Sequence, residues 1–109
     1  GLIEPGEDVL EAANRELKEE AGFGAQHLEL LAELSLSPGY MSQKIQVVLA
    51  SGLYEERLPG DEPEPMRVDK TSLRELSSLI QHPQFTEGRA LAALYLARDV
   101  LTQRGIFKP

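Results

Sequence analysis

Glu16, Glu19 and Glu20 stand at i, i+3 and i+4 in the run Arg15-Glu16-Leu17-Lys18-Glu19-Glu20. Wound at about 100° per residue, these positions share one helix face, so three carboxylates fall within a single turn. Such a face repels itself, at roughly 0.2–0.5 kcal/mol for each like-charged i, i+4 pair. A hard divalent cation, which prefers oxygen ligands, turns that repulsion into binding, and magnesium is the natural candidate. Acidic clusters of this kind also occur on solvated helix faces. Spacing alone leaves both readings open, and the neighbouring residues separate them.

Those neighbours form the pattern G-x5-E-x7-R-E-L-x-E-E-x-G-F over residues 1–23, with nine positions fixed at set spacings. The pattern resembles, without a break, the Nudix box of hydrolases that cleave nucleoside diphosphates linked to another moiety. The resemblance implies a loop, a helix and a second loop, with the helix glutamates holding magnesium or manganese ions against a substrate pyrophosphate. Carried over by position, Glu16, Glu19 and Glu20 are the metal ligands, and Glu19, Glu20 and Arg15 belong to the catalytic group. Arg15 lies four residues beyond Glu11 and four before Glu19, within reach of either. Its expected task is to hold a glutamate in place. Glu7 is an outer metal ligand or an anchor for the loop, and the anchor is the preferred reading.

The flanking elements have to present this face. Pro5-Gly6 signals a turn, Asp8 serves as N-cap with Glu11 completing a variant capping box, and Gly22 ends the helix as a left-handed cap. Leu10, Ala13 and Leu17, spaced by three and four, mark the stripe expected to pack on a sheet. Residues 28–36 (LELLAELSL) read as a strand, the turn Ser37-Pro38-Gly39-Tyr40 follows, and residues 45–53 (IQVVLASGL) read as the antiparallel return. A short strand is expected at residues 66–69. Ser72 with Glu75 caps a helix carrying Leu73, Leu76, Leu79 and Ile80, and His82-Pro83 stops it. Thr86 opens a last helix with an apolar face of Ala90, Leu91, Leu94, Tyr95, Val100 and Leu101, and Gly105 closes it. Arg89, Arg98 and Arg104 on that helix read as solvated. His27 and His82 each lack a second ligand at useful spacing and read as neither metal-binding nor catalytic.

Two further stretches carry the resemblance. Pro38 lies sixteen residues beyond Gly22, where the branches acting on ADP-ribose and related compounds place a proline, and residues 34–48 (LSLSPGYMSQKIQVV) resemble the NudE-type ADP-compound hydrolases. Pro38, Gly39 and Tyr40 are therefore the expected substrate loop. Gln43 and Lys44 fill the region where dedicated ADP-ribose enzymes tend to place a glutamate, which favours a broader ADP-compound specificity. Residues 54–65 (YEERLPGDEPEP) are too polar and proline-rich for a buried element. By composition they are a solvated linker. By resemblance of GDEPEP to the same branch they hold the catalytic base, Glu64 or Glu62, swinging over the metals.

The whole chain is 109 residues, enough for one domain. Its net charge of −7 opposes passive binding to nucleic acid, which needs a basic footprint. The absence of cysteine excludes a disulfide framework and agrees with a reducing cytosol. The longest near-continuous apolar run, residues 90–97, is far short of the ~20 residues that span a bilayer. A cytoplasmic enzyme without membrane contact is expected. The chain opens on Gly1 of the motif without an initiator methionine, and the resemblance implies that N-terminal strands of the fold precede it.

The expected fold is α+β, an α/β/α sandwich in which a mixed sheet lies between helices. The expected reaction is metal-dependent water attack on a pyrophosphate phosphorus of ADP-ribose, NADH or diadenosine polyphosphates, releasing AMP. No Ser-His or Cys-His arrangement suggests a covalent intermediate. A homodimer is expected by analogy. Two alternatives remain: hydrolysis of nucleoside triphosphates or coenzyme A, opposed by Pro38 and the acidic loop, and a non-catalytic binding module, opposed by the intact glutamates.

Overall fold

The computed structural model describes residues 6–37, 39–40, 43–59 and 70–106. In chain order its elements are α1 (Val9–Glu20), β1 (Phe23–Ser35), β2 (Lys44–Glu55), a 3-10 turn (Leu73–Glu75) continuing into α2 (Leu76–Ile80), and α3 (Gly88–Gln103). The architecture is α+β, as expected. Among the described residues the sheet is a two-stranded antiparallel hairpin, where the resemblance implied a larger mixed sheet. The short strand expected at residues 66–69 lies outside the described residues.

Helix α1 begins directly after Asp8, which stays extended while its Oδ2 accepts the amides of Leu10 at 3.0 Å and Glu11 at 3.3 Å. Those amides have no partner within the helix, so the cap satisfies them and places a negative charge at the positive end of the dipole. The helix ends where the amides of Ala21 and Gly22 both reach the Leu17 carbonyl and Gly22 adopts φ 78. Only glycine takes that turn without steric cost. The most buried residue is Ala12, at 2% exposure; the expected stripe Leu10, Ala13 and Leu17 is half-buried. The helix is fixed to its platform by a polar bond as well, the Ala25 amide donating to Asn14 Oδ1 at 2.9 Å.

Strands β1 and β2 pair from Phe23 with Glu55 to Ser35 with Lys44, and extend past both expected strands toward α1. The register shifts between Leu30 and Ala32, so Leu31 is an extra residue in a β-bulge. The unexpected extension includes Gly24 and Gln26, residues with little strand preference. Gly24 is explained by close approach: a Cβ there would lie 2.5 Å from the ring of Tyr54 on the paired strand.

Ser72 caps the next helical segment as expected, but its Oγ takes the Arg74 amide at 3.3 Å while the Glu75 amide goes to the Ser72 carbonyl at 2.9 Å, closing a 3-10 turn first. Leu76 and Ile80 are buried, whereas Leu73 is 41% exposed. Past the helix, His82 Nδ1 accepts the Gln84 amide at 3.1 Å. Helix α3 is capped by Glu87 rather than the expected Thr86: the longer carboxylate reaches the Ala90 amide at 2.6 Å and Arg89 Nε at 2.6 Å. Gly105, at φ 73, closes the C-terminus, its amide reaching the Thr102 carbonyl while Ile106 reaches Leu101, a Schellman motif. Arg89 and Arg104 are exposed, as expected, and Arg98 is half-buried. Arg104 forms a bidentate pair with Glu29 of β1 at 2.8 and 2.5 Å, and Arg98 lies 4.9 Å from the Tyr95 ring. Among the described residues no helix is long and apolar enough to cross a membrane.

Two outcomes follow from this packing. Asp8→Ala should lower unfolding free energy by about 1 kcal/mol in urea denaturation, with Asp8→Asn recovering most of it. Ile80→Ala should cost about 2–4 kcal/mol, against less than about 1 kcal/mol for the exposed Leu73→Ala.

Candidate functional site

The acidic face of α1 is organised by one cation. Arg15 Nε and Nη2 donate to both oxygens of Glu7, at 2.8 and 3.0 Å, and Nη1 donates to Glu16 Oε1 at 3.0 Å and Glu19 Oε2 at 3.1 Å. All four side chains are largely shielded, with exposures of 15–22%. The Glu7 hydrogen bond, joined by those of Glu19 and Glu16, raises the Arg15 pKa further above its ordinary value, so this group is a permanent cation. Of the two partners within reach along the helix, Glu19 is engaged and Glu11 points to solvent. Glu7 comes from the preceding loop, where Gly6 at φ 79 turns the chain toward the helix. Its pairing with Arg15 is that of a loop anchor.

Glu16 and Glu19 thus converge on a single positively charged atom. Their oxygens are hard donors of the kind magnesium and manganese prefer, and in donor chemistry and convergence they fit a divalent cation. Glu20 stands half-buried at the end of the same helix. Among the described residues, however, no three acidic, imidazole or thiol side chains are gathered closely enough to hold a metal ion.

The remaining site residues of the sequence reading are placed differently. Glu62, Glu64 and Pro38 lie outside the described residues. Gly39 and Tyr40 form a turn, closed by the Tyr40 amide on the Ser37 carbonyl at 2.8 Å, and Tyr40 is 95% exposed. That turn is at the far end of the hairpin from Gly22, separated by the 13 residues of β1, roughly 40 Å of strand. The described residues do not bring it against the glutamates. Neither His27 nor His82 enters a metal cluster among the described residues. Cavities of about 810 and 480 Å³ lie elsewhere, the first lined by Leu28, Leu49, Leu73 and Leu101, the second by Leu34, Ile45 and Ala92. No α1 glutamate lines either one.

Sequence reasoning overlooked Asn14, Lys18 and the residues leaving β2. Lys18 Nζ pairs with Glu56 at 3.2 Å and lies 5.8 Å from the Tyr54 ring; the Glu56 hydrogen bond raises its pKa. None of these partners stands at a helical spacing from Lys18, so no local pattern announces them.

Known proteins match this chain along most of its length. A NUDIX domain model matches residues 1–94. The chain is 50% identical over 105 residues to the ADP compounds hydrolase NudE of Escherichia coli K12, covering 96% of this chain and 56% of that protein. A methanol dehydrogenase activator of Bacillus methanolicus is 31% identical and an ADP-ribose pyrophosphatase of Bacillus subtilis 30%, each over 86% of this chain and 52% of its own length. A crystal structure of an ADP compounds hydrolase superposes with a TM-score of 0.93 at 50% identity, over 98% of this chain and 58% of that one. The chain therefore spans about half the length of the curated relatives it matches. With the box residues of α1 gathered around Arg15 and the domain model covering most of its length, the chain belongs to the NUDIX family.

Proposed function

We propose that this chain carries the metal-binding helix of a pyrophosphohydrolase that cleaves ADP-linked compounds such as ADP-ribose, NADH and diadenosine polyphosphates. The observation that carries the reading is the convergence of Glu16 and Glu19 on one cationic point of a shielded helix face. The substrate class rests on the 50% identity to an ADP compounds hydrolase. Magnesium or manganese bound by Glu16, Glu19 and Glu20 would supply charge neutralisation at the pyrophosphate and a water of lowered pKa.

The chain's own residues do the rest. Arg15 keeps Glu16 and Glu19 on one face and, through Glu7, ties the preceding loop to the helix. Glu64 or Glu62 takes the proton of the attacking water, and attack on phosphorus breaks one anhydride bond to release AMP, the rest of the substrate leaving with its remaining phosphate or phosphates. The turn at Pro38, Gly39 and Tyr40 has its substrate role from resemblance alone. A homodimer working in the cytoplasm belongs to the reading on the same ground. A second reading, a module that acts on a partner enzyme, is favoured by the 31% identity to an activator protein.

Release of AMP from the three substrates by the intact protein, with and without magnesium, separates these readings. Magnesium-dependent turnover that falls more than about 100-fold in Glu20→Gln supports hydrolysis, since even outer groups around a metal are worth about 10–100-fold. Substrate binding without turnover would favour the module. Arg15→Lys, which keeps the charge but cannot hold Glu7 bidentately while reaching Glu16 and Glu19, should lower kcat by about 10- to 100-fold.

A further inference from the structure

The last turn of α1 poses a physical problem that the proposed reading leaves unsolved. Glu19 and Glu20 sit at the C-terminus of the helix, where the macrodipole is negative and carboxylates are disfavoured. The carbonyls of Lys18 and Glu19 have no partner within the helix. A fraying last turn would move the two carboxylates with it.

The chain leaving β2 meets these groups one after another. The Glu56 amide donates to the Gly22 carbonyl at 3.0 Å and the Leu58 amide to the Lys18 carbonyl at 3.3 Å. Between them, Arg57 Nη1 reaches the Glu19 carbonyl at 3.4 Å. Glu56 also pairs with Lys18, and Tyr54 lies beneath Lys18 and against Gly24. Two glycines make room for this arrangement. A Cβ on Gly22 would lie 2.8 Å from Arg57 Nη2, and one on Gly24 would meet the Tyr54 ring. Gly22 thus serves two purposes, its positive φ and the space for a guanidinium.

We propose that residues 56–58 form a strap that holds the carboxylate-bearing last turn of α1 in register, with Arg57 as its positioning residue. Arg57 places a cation at the negative helix end and closes the Glu19 carbonyl, while the Leu58 amide closes that of Lys18. The strap acts through the backbone of Glu19. It rests on the reading of α1 as a metal-binding helix.

The test is Mn²⁺ binding to the intact protein without substrate, followed by electron paramagnetic resonance, for the wild type, Arg57→Ala and Arg57→Lys. Arg57→Ala should weaken Mn²⁺ affinity by about two- to five-fold, the worth of a cation at a helix C-terminus. It should unfold within about 4 °C of the wild type. At saturating Mn²⁺ its KM for ADP-ribose should be unchanged. Arg57→Lys, which retains the charge, should restore affinity to within about twofold of wild type. Wild-type binding that Arg57→Ala leaves unchanged overturns the strap and spares the metal helix. Absence of Mn²⁺ binding by the folded wild type overturns the metal helix and the strap with it.

Discussion

Repulsion between like charges is the constraint on which this structure depends. Helix α1 carries Glu16, Glu19 and Glu20 on one face, and Glu7 is brought beside them from the loop. Left alone, these groups would destabilise the helix and push the loop away. One guanidinium resolves the conflict because its planar fork binds Glu7 with two atoms and turns a third toward Glu16 and Glu19. The same arrangement keeps two hard oxygen donors pointed at one place.

The hairpin is the platform that makes the arrangement rigid. Asn14 bonds the backbone of β1, and Ala12 is buried on a helix packed against that strand. The residues leaving β2 return to the far end of the helix, so α1 is held through its middle and at its last turn. Farther along, the Leu31 bulge shifts the pairing, and Arg104 binds Glu29, joining the end of α3 to β1. That pair is roughly half exposed, at 44% and 47%, so its value lies in orientation more than in stability. It also holds the Glu29 carboxyl below the usual carboxylate range, chiefly through its hydrogen bond to Arg104. The pair is therefore lost as pH falls through that lowered value.

Local chemistry made much of this legible in the sequence. The N-cap at Asp8, the left-handed ends at Gly22 and Gly105, the cap at Ser72 and the hairpin order all depend on residues close in sequence. Their physics acts over a few bonds. The i, i+3, i+4 spacing likewise placed Glu16, Glu19 and Glu20 on one turn, since helical geometry leaves no other arrangement. Where two local solutions competed, the reading slipped: Glu87 outreached Thr86 as a cap, and the first strand began at the residue after Gly22 instead of at Leu28.

What tertiary structure alone decided are the partners across the chain. Arg15 was expected to choose among helix neighbours, yet its most extensive contact is Glu7, reached because Gly6 turns the loop back. Lys18 with Glu56, Arg57 with the Glu19 carbonyl, and Arg104 with Glu29 join residues far apart in sequence. Sequence determined which face of α1 carries the charge and where the helix starts and stops, because those are properties of a few consecutive residues. Which cation answers that charge, and what holds the last turn in place, was settled only when the hairpin folded back and brought distant residues within hydrogen-bonding distance.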